Sequence, residues 1–225
     1  MQILIINPNS SESMTSIIQE AANNYSGGEF EVKCLSNGKA PDFIESYEDQ
    51  IKAAPGMIQM LRDNEDKYDA FIIACHCDPN LDTLKEITSK PVIGIGEASM
   101  KIASMLGHRF SVISASLDSI PNKEALIRRY HLQDLLASIK IAQPNKDGNV
   151  DNEKYLSAAA AAINEDMAEV IVLGCACMSG LDKYIQDKLG APVLDGVVCA
   201  LIIASGLVKY GVSQVRSEDT KQNKY

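Results

Sequence analysis

No uninterrupted apolar run reaches the roughly 18 residues that would suggest a membrane-spanning helix. A charged leader with a cleavage site is also missing; Gln2-Ile3-Leu4-Ile5-Ile6 reads directly as a strand, so a cytoplasmic protein is expected. Lysine and arginine form no cluster on any predicted face, and the formal net charge is −9. That balance argues against nucleic acid or an anionic membrane as partner and leaves a small molecule. Tryptophan is absent and aromatic residues make up only 5 %, a shortage that says little about function. What the chain does have is 46 % hydrophobic residues over 225 positions, ample for one large domain or two small ones. It also has six cysteines. Without a secretion signal these are expected as thiols, whose work is packing, metal binding or catalysis.

Two cysteine stretches organise the rest: Ala74-Cys75-His76-Cys77-Asp78-Pro79 and Gly174-Cys175-Ala176-Cys177-Met178-Ser179. Each follows an apolar run and precedes a helical pattern. Cys75 and Cys77 recur as Cys175 and Cys177, and Leu81-Asp82 as Leu181-Asp182, at one offset of 100 residues. Pro91-Val92-Ile93 returns as Pro192-Val193-Leu194, and Ile102-Ala103-Ser104 as Ile203-Ala204-Ser205, at an offset of 101. Strand, cysteine loop, helix, strand and helix are therefore duplicated. Two copies are too few for a solenoid.

Periodicity and turn residues predict strands at 1–6, 30–35, 69–74, 91–95, 110–113, 138–142, 169–173 and 192–194. Helices are expected from Ser10 or Ser11 to Tyr25, then at 44–63 with a kink at Pro55-Gly56, and at 81–88, 97–106, 121–131, 153–164, 181–189 and 197–210. This alternation implies an α/β fold of two pseudo-symmetric lobes, each a four-stranded parallel sheet flanked by helices, with the active site in the cleft between them. The first lobe is assigned 1–96 plus 197–225 and the second 97–196, the last helix packing back on the first. Residues 144–151 read as a polar loop and 213–225 as a loose tail.

Ligands of open parallel sheets bind beyond the C-terminal strand ends, where Cys75 and Cys175 both fall. Lobes facing each other across a two-fold axis would set one thiol on each wall of a single cleft. Such a pair can take a proton from one face of a carbon and return one to the other, which inverts a stereocentre without a cofactor. Helix N-termini after each loop would favour the thiolates. Their N–H groups, with those of the loop from Asn7 to Ser10, would stabilise an enolate oxyanion. The rival is a soft metal site of four sulfurs with His76 or Asp78, but paired zinc cysteines usually stand two to four residues apart. A redox pair of the thioredoxin kind needs two intervening residues, not one. Cys77 and Cys177 are read as neighbours of the chemistry, and Cys34 and Cys199 as core. Glu97 either holds a substrate amide or starts a helix. His108 and His131 fall at helix ends, and Asp82 and Asp182 are dipole partners. Gly94-Ile95-Gly96 lacks the third glycine of a dinucleotide site.

Five motifs in order resemble the aspartate/glutamate/hydantoin racemase superfamily, and within it the hydantoin and allantoin racemase branch. They are Ile5-Ile6-Asn7-Pro8-Asn9-Ser10; Ile44-Glu45-Ser46-Tyr47 with Ala54-Pro55-Gly56; Ile73-Ala74-Cys75 with Asp78-Pro79; Gly94-Ile95-Gly96-Glu97-Ala98; and Leu173-Gly174-Cys175-Ala176 with Met178. The resemblance implies a cofactor-independent two-base racemase with Cys75 and Cys175 as the acid/base pair. The implied substrate is a cyclic ureide such as a 5-substituted hydantoin or allantoin. Amino-acid racemisation, a maleate-type isomerisation, and a non-catalytic ligand- or metal-binding protein are the alternatives. The resemblance further implies that Asn9, Ser10 and the backbone near Ser114 and Ala176 surround the substrate, and that the protein is a homo-oligomer. His76 and Cys77 in the first loop, and Cys177 in the second, depart from the family pattern and are counted with the substrate-binding candidates.

Overall fold

The structure, a computed structural model, describes residues 1–142 and 151–215. The polar loop and the tail expected from the sequence fall largely outside the described residues. The first half of the chain runs β1 (Gln2–Asn7), α1 (Glu12–Ser26), β2 (Glu31–Ser36), α2 (Tyr47–Asn64), β3 (Ala70–Ile73), α3 (Leu81–Ile87) and β4 (Val92–Gly94). The second half runs α4 (Ile95–Leu106), β5 (Phe110–Ser114), α5 (Ile120–Arg129), β6 (Leu136–Ile141), α6 (Asn152–Asp166), β7 (Val170–Leu173), α7 (Asp182–Leu189), β8 (Val193–Leu194) and α8 (Gly196–Tyr210). The strands form two parallel sheets of order β2-β1-β3-β4 and β6-β5-β7-β8, the α/β architecture expected from the alternation.

Both sheets are covered by helices, so their central strands are apolar at nearly every position rather than alternating. All residues of β3 and of β7 are buried. β6, at an edge, is only half-buried along its length. Each sheet reverses its winding direction at its first strand, between β1 and β3 and again between β5 and β7, which is where open α/β sheets open a crevice. Register then decides what lines it. Ile6 pairs with Ile73, so Asn7 and the residues after it emerge beside Ala74-Cys75. Ile113 pairs with Leu173, so Ser114 emerges beside Gly174-Cys175.

Helix ends follow local chemistry. Ser11, not Ser10, caps α1, its hydroxyl accepting from Met14 N at 3.3 Å. α2 starts three residues later than periodicity indicates, because Ser46 and Asp49 close a reciprocal capping box there and leave buried Ile44 in the preceding loop. The helix runs unbroken through Pro55. Beside it Asn37 Nδ2 donates to the Ala53 carbonyl at 2.9 Å, and a Cβ on Gly56 would stand 2.1 Å from Asn37 Oδ1. Glycine there makes room for that clamp.

α8 buries Val197, Ala200, Leu201 and Ala204 in a core shared with Ile3, Ile5, Ile18 and Ile72 of the first half. α4 turns the other way, Met100 and Ala103 packing with Phe110, Val112 and Val170. The N-termini of these two helices meet, a Cβ on Gly196 coming within 3.1 Å of Ile95. Among the described residues no helix is long and apolar enough to cross a membrane.

Candidate active site

The loops after β1, β3, β5 and β7 converge on one cavity of about 120 Å³. That is close to the roughly 150 Å³ that accommodates a single benzene ring. Asn9, Cys75, His76, Cys77, Ser114, Cys175, Ala176 and Cys177 all line it, so eight of the ten residues singled out from the sequence are brought together. Ser10 and Glu97 do not line it. Ser10 turns outward, its hydroxyl donating to Asp42 Oδ1 at 2.6 Å. Glu97 lies in the first turn of α4 and accepts from Lys85 Nζ at 2.6 Å and Lys101 Nζ at 2.5 Å. Burial pushes the Glu97 carboxyl up, but those two lysines outweigh it and hold it below the ordinary range.

Asn9 is locked in place. Its Oδ1 accepts from Asn7 Nδ2 at 2.8 Å and from Ser11 N at 3.0 Å, and its Nδ2 donates to Met14 Sδ at 3.2 Å. His76 is 2 % exposed; its Nε2 lies 3.3 Å from Ser99 Oγ, and its Nδ1 has no partner among the described residues. Burial, reinforced by the Lys123 ammonium, keeps the imidazole neutral. Ser114 is fully buried at the end of β5, its hydroxyl 2.9 Å from Ser119 Oγ.

All six cysteines are free thiols. In the second loop Cys177 Sγ donates to Cys175 Sγ at 3.1 Å. That hydrogen bond, then the Cys177 backbone N–H and the Lys123 ammonium, lower the Cys175 thiol to about 7 against the opposing effect of burial. Cys177 is pushed up, by the same bond and by burial. In the first loop the order is reversed. Cys75 is the donor and is raised well above its ordinary value by that hydrogen bond and by burial, while Cys77 is lowered to about 7. The two first cysteines, one from each sheet, thus differ in sign, Cys175 biased to thiolate and Cys75 to thiol. In the first loop a helix N-terminus is not the cause, since α3 starts at Leu81, whereas Cys175 directly precedes a short 3-10 turn, Ala176–Met178, whose Cys177 N–H helps to lower it. Among the described residues no group of three or more His, Cys, Asp and Glu is placed to hold a metal ion.

Cys34 and Cys199 belong to the core, and burial pushes each up to about 12.

Three residues near the site were not singled out from the sequence. Lys123 of α5 is 3 % exposed, lines the cavity and donates from Nζ to the Gly174 carbonyl at 2.6 Å. Its signal was a lysine three and four positions before Leu126 and Ile127, on the buried stripe of its helix. Tyr155 of α6 is fully buried near Cys177 and Cys175. Asp78, considered only as a metal ligand, ties the first loop to α4, accepting from Gly96 N at 3.0 Å, Glu97 N at 2.6 Å and the Tyr130 hydroxyl at 2.7 Å. A Cβ on Gly94 would stand 2.2 Å from that carboxylate, which accounts for the glycines of Gly94-Ile95-Gly96.

Residues 3–204 match the family described as Asp/Glu/hydantoin racemase. The chain is 36 % identical over 217 residues to a hydantoin racemase of Pseudomonas sp. (strain NS671), covering 94 % of this chain and 87 % of the relative. It is 35 % identical over 234 residues to a hydantoin racemase of Paenarthrobacter aurescens, covering 100 % and 96 %. Among solved structures, an allantoin racemase from Klebsiella pneumoniae superposes with a TM-score of 0.92 at 30 % identity, covering 97 % of this chain and 92 % of that one.

Proposed function

The chain belongs to the Asp/Glu/hydantoin racemase family, and from that premise we propose that it racemises a cyclic ureide, a 5-substituted hydantoin or allantoin, with Cys75 and Cys175 as its two acid/base groups. The observation that carries this reading is that Cys75 and Cys175, one from the end of a strand in each sheet, line a single cavity, and their opposite bias agrees with it. A pair of titratable groups pushed apart by their surroundings is how a site prepares one base and one acid together. Cys175, as thiolate, takes the proton from the ring carbon. Cys75, as thiol, delivers its own proton to the opposite face, and the electron pair held meanwhile in the enolate returns to form the new C–H bond. The enzyme is left with Cys175 protonated and Cys75 ionised, ready for the other enantiomer or for exchange with water.

Substrate size agrees with the space, because a cavity of about 120 Å³ fits one small ring and not the drug-sized ligands that occupy roughly 300–1,000 Å³. The ring carbonyl acidifies the carbon that carries the proton, so thiols of matched pKa suffice as catalysts. Pure enantiomers of hydantoins and of allantoin, with aspartate and glutamate for comparison, are incubated in deuterated water and followed by optical rotation and by deuterium incorporation at the reacting carbon. Racemisation with exchange is expected for the cyclic ureides and loss of racemisation in Cys75→Ala and in Cys175→Ala. Neither rotation change nor exchange with any ureide would sink the proposal.

A further inference from the structure

Lys123 lines the cavity and favours the Cys175 thiolate, but it takes no proton itself. Its ammonium carries three donors, and among the described residues it has one acceptor, the Gly174 carbonyl, and no ion pair. At 3 % exposure such a cation is costly to keep, and what offsets it in the resting site is the Cys175 thiolate and not a carboxylate. Glu45 is the one carboxylate lining the cavity, and it makes no ion pair with Lys123. The helix that carries the lysine adds to the same field. α5 points its N-terminus toward the cavity through Ser119 and Lys123, and it has no acidic residue in its first turn to offset the dipole. The serine hydroxyls nearby are already committed: Ser114 Oγ donates to the Ser116 carbonyl at 3.1 Å and Ser119 Oγ to the same oxygen at 2.9 Å. What the cavity offers an incoming ligand is therefore a fixed positive charge with free donors, next to the residue that precedes Cys175. A neutral ring brings no carboxylate to match it.

We infer that Lys123 forms an anion subsite, and that the substrate is a cyclic ureide carrying a carboxylate on its 5-substituent. This rests on the reading of the site as a ureide racemase and narrows its substrate class. The lysine fixes the carboxylate, the carboxylate fixes the ring, and the ring carbon is thereby held between the two first cysteines. The recognition is charge-assisted, so the neutral isostere is discriminated against.

The test compares enantiopure 5-(carboxymethyl)hydantoin with its carboxamide, 5-(carbamoylmethyl)hydantoin. The wild-type enzyme is expected to favour the carboxylate by about tenfold or more in kcat/KM, the size of one charge-assisted hydrogen bond. In Lys123→Met the ratio of the two kcat/KM values falls toward one, and in Lys123→Arg the preference survives. No preference in the wild type, or an equal loss on both substrates in Lys123→Met, would overturn the subsite, the second result assigning the lysine to the thiolates instead. The wild-type comparison needs no variant to fold. If neither ring is racemised, the reading as a ureide racemase fails while the subsite is still decided by calorimetry. Tighter binding of the carboxylate than of the amide, lost in Lys123→Met, supports it, and equal or absent binding refutes it.

Discussion

In the second Cys-x-Cys loop the two sulfurs are a donor and an acceptor, so the second cysteine tunes the first. Cys177 donates to Cys175 at 3.1 Å and is the leading cause of the depressed Cys175 pKa of about 7. Only the thiolate can act as base, so kcat/KM is expected to fall about tenfold per pH unit below about pH 7. Cys177→Ala removes that donor and should move this limb up by about one unit, toward the roughly 8.5 of an unperturbed thiol. The pH dependence of Cys175 alkylation, followed by peptide mapping, reads the same quantity without substrate. An unmoved limb in both measurements refutes the assignment. The pairing of the loops was legible in the sequence, because an exact repeat of Cys-x-Cys after a strand needs no tertiary information. Which sulfur of a pair ionises was not, since it depends on a hydrogen bond between side chains and on Lys123, 52 residues upstream of Cys175, folded beneath Gly174.

At the scale of elements, both cysteine loops are tied to the second α-helix that follows them, by carboxylates placed at opposite ends of the tie. Asp78 sits in the first loop and reaches the start of α4, whereas Asp195 caps α8 and reaches back to the second loop, accepting from Gly180 N and Val197 N at 2.8 Å each. Burial raises the Asp78 carboxyl to about 7, only partly offset by its three donors. A carboxyl whose folded pKa exceeds its unfolded one, about 3.9, contributes stability that is fully present below the unfolded value and is lost as pH rises through the folded one. The wild type should therefore lose up to about 1.4 kcal/mol per pH unit from this group between about pH 4 and pH 7, a slope that Asp78→Asn removes. Urea unfolding of both proteins across that range checks it, and parallel curves would falsify the assignment. Asp78→Ala, which strands two backbone N–H groups and the Tyr130 hydroxyl, should cost roughly 3 kcal/mol at pH 7. Strand and helix order were legible from apolar periodicity. The α2 start was not, because a capping box outweighs the period of the apolar residues there.

Across the whole molecule, the two sheets are joined by an exchange of helices. α4 leaves the first sheet to pack on the second, and α8 leaves the second to pack on the first. α8, Gly196–Tyr210, shares its core with strands of the first sheet. That packing carries a consequence for stability. Val197 and Leu201 are each fully buried, with Ala200 and Ala204 beside them, and burying a side chain of the first kind contributes about 1.5–3 kcal/mol. Losing both, with the backbone that carries them, removes a large part of the roughly 5–15 kcal/mol that a domain has in total. A chain ending at Asp195 is therefore expected to fail at its far end in sequence. Hydrogen exchange should show β1 and β3 unprotected, their apolar face open where α8 lay, while β5 and β7 keep their protection under α4. Adding a peptide of residues 196–215 in trans should restore protection to β1 and β3. Loss confined to β7 and β8, the strands nearest the cut, would instead mean that each sheet is stabilised by its own consecutive helices and that the exchange carries little energy.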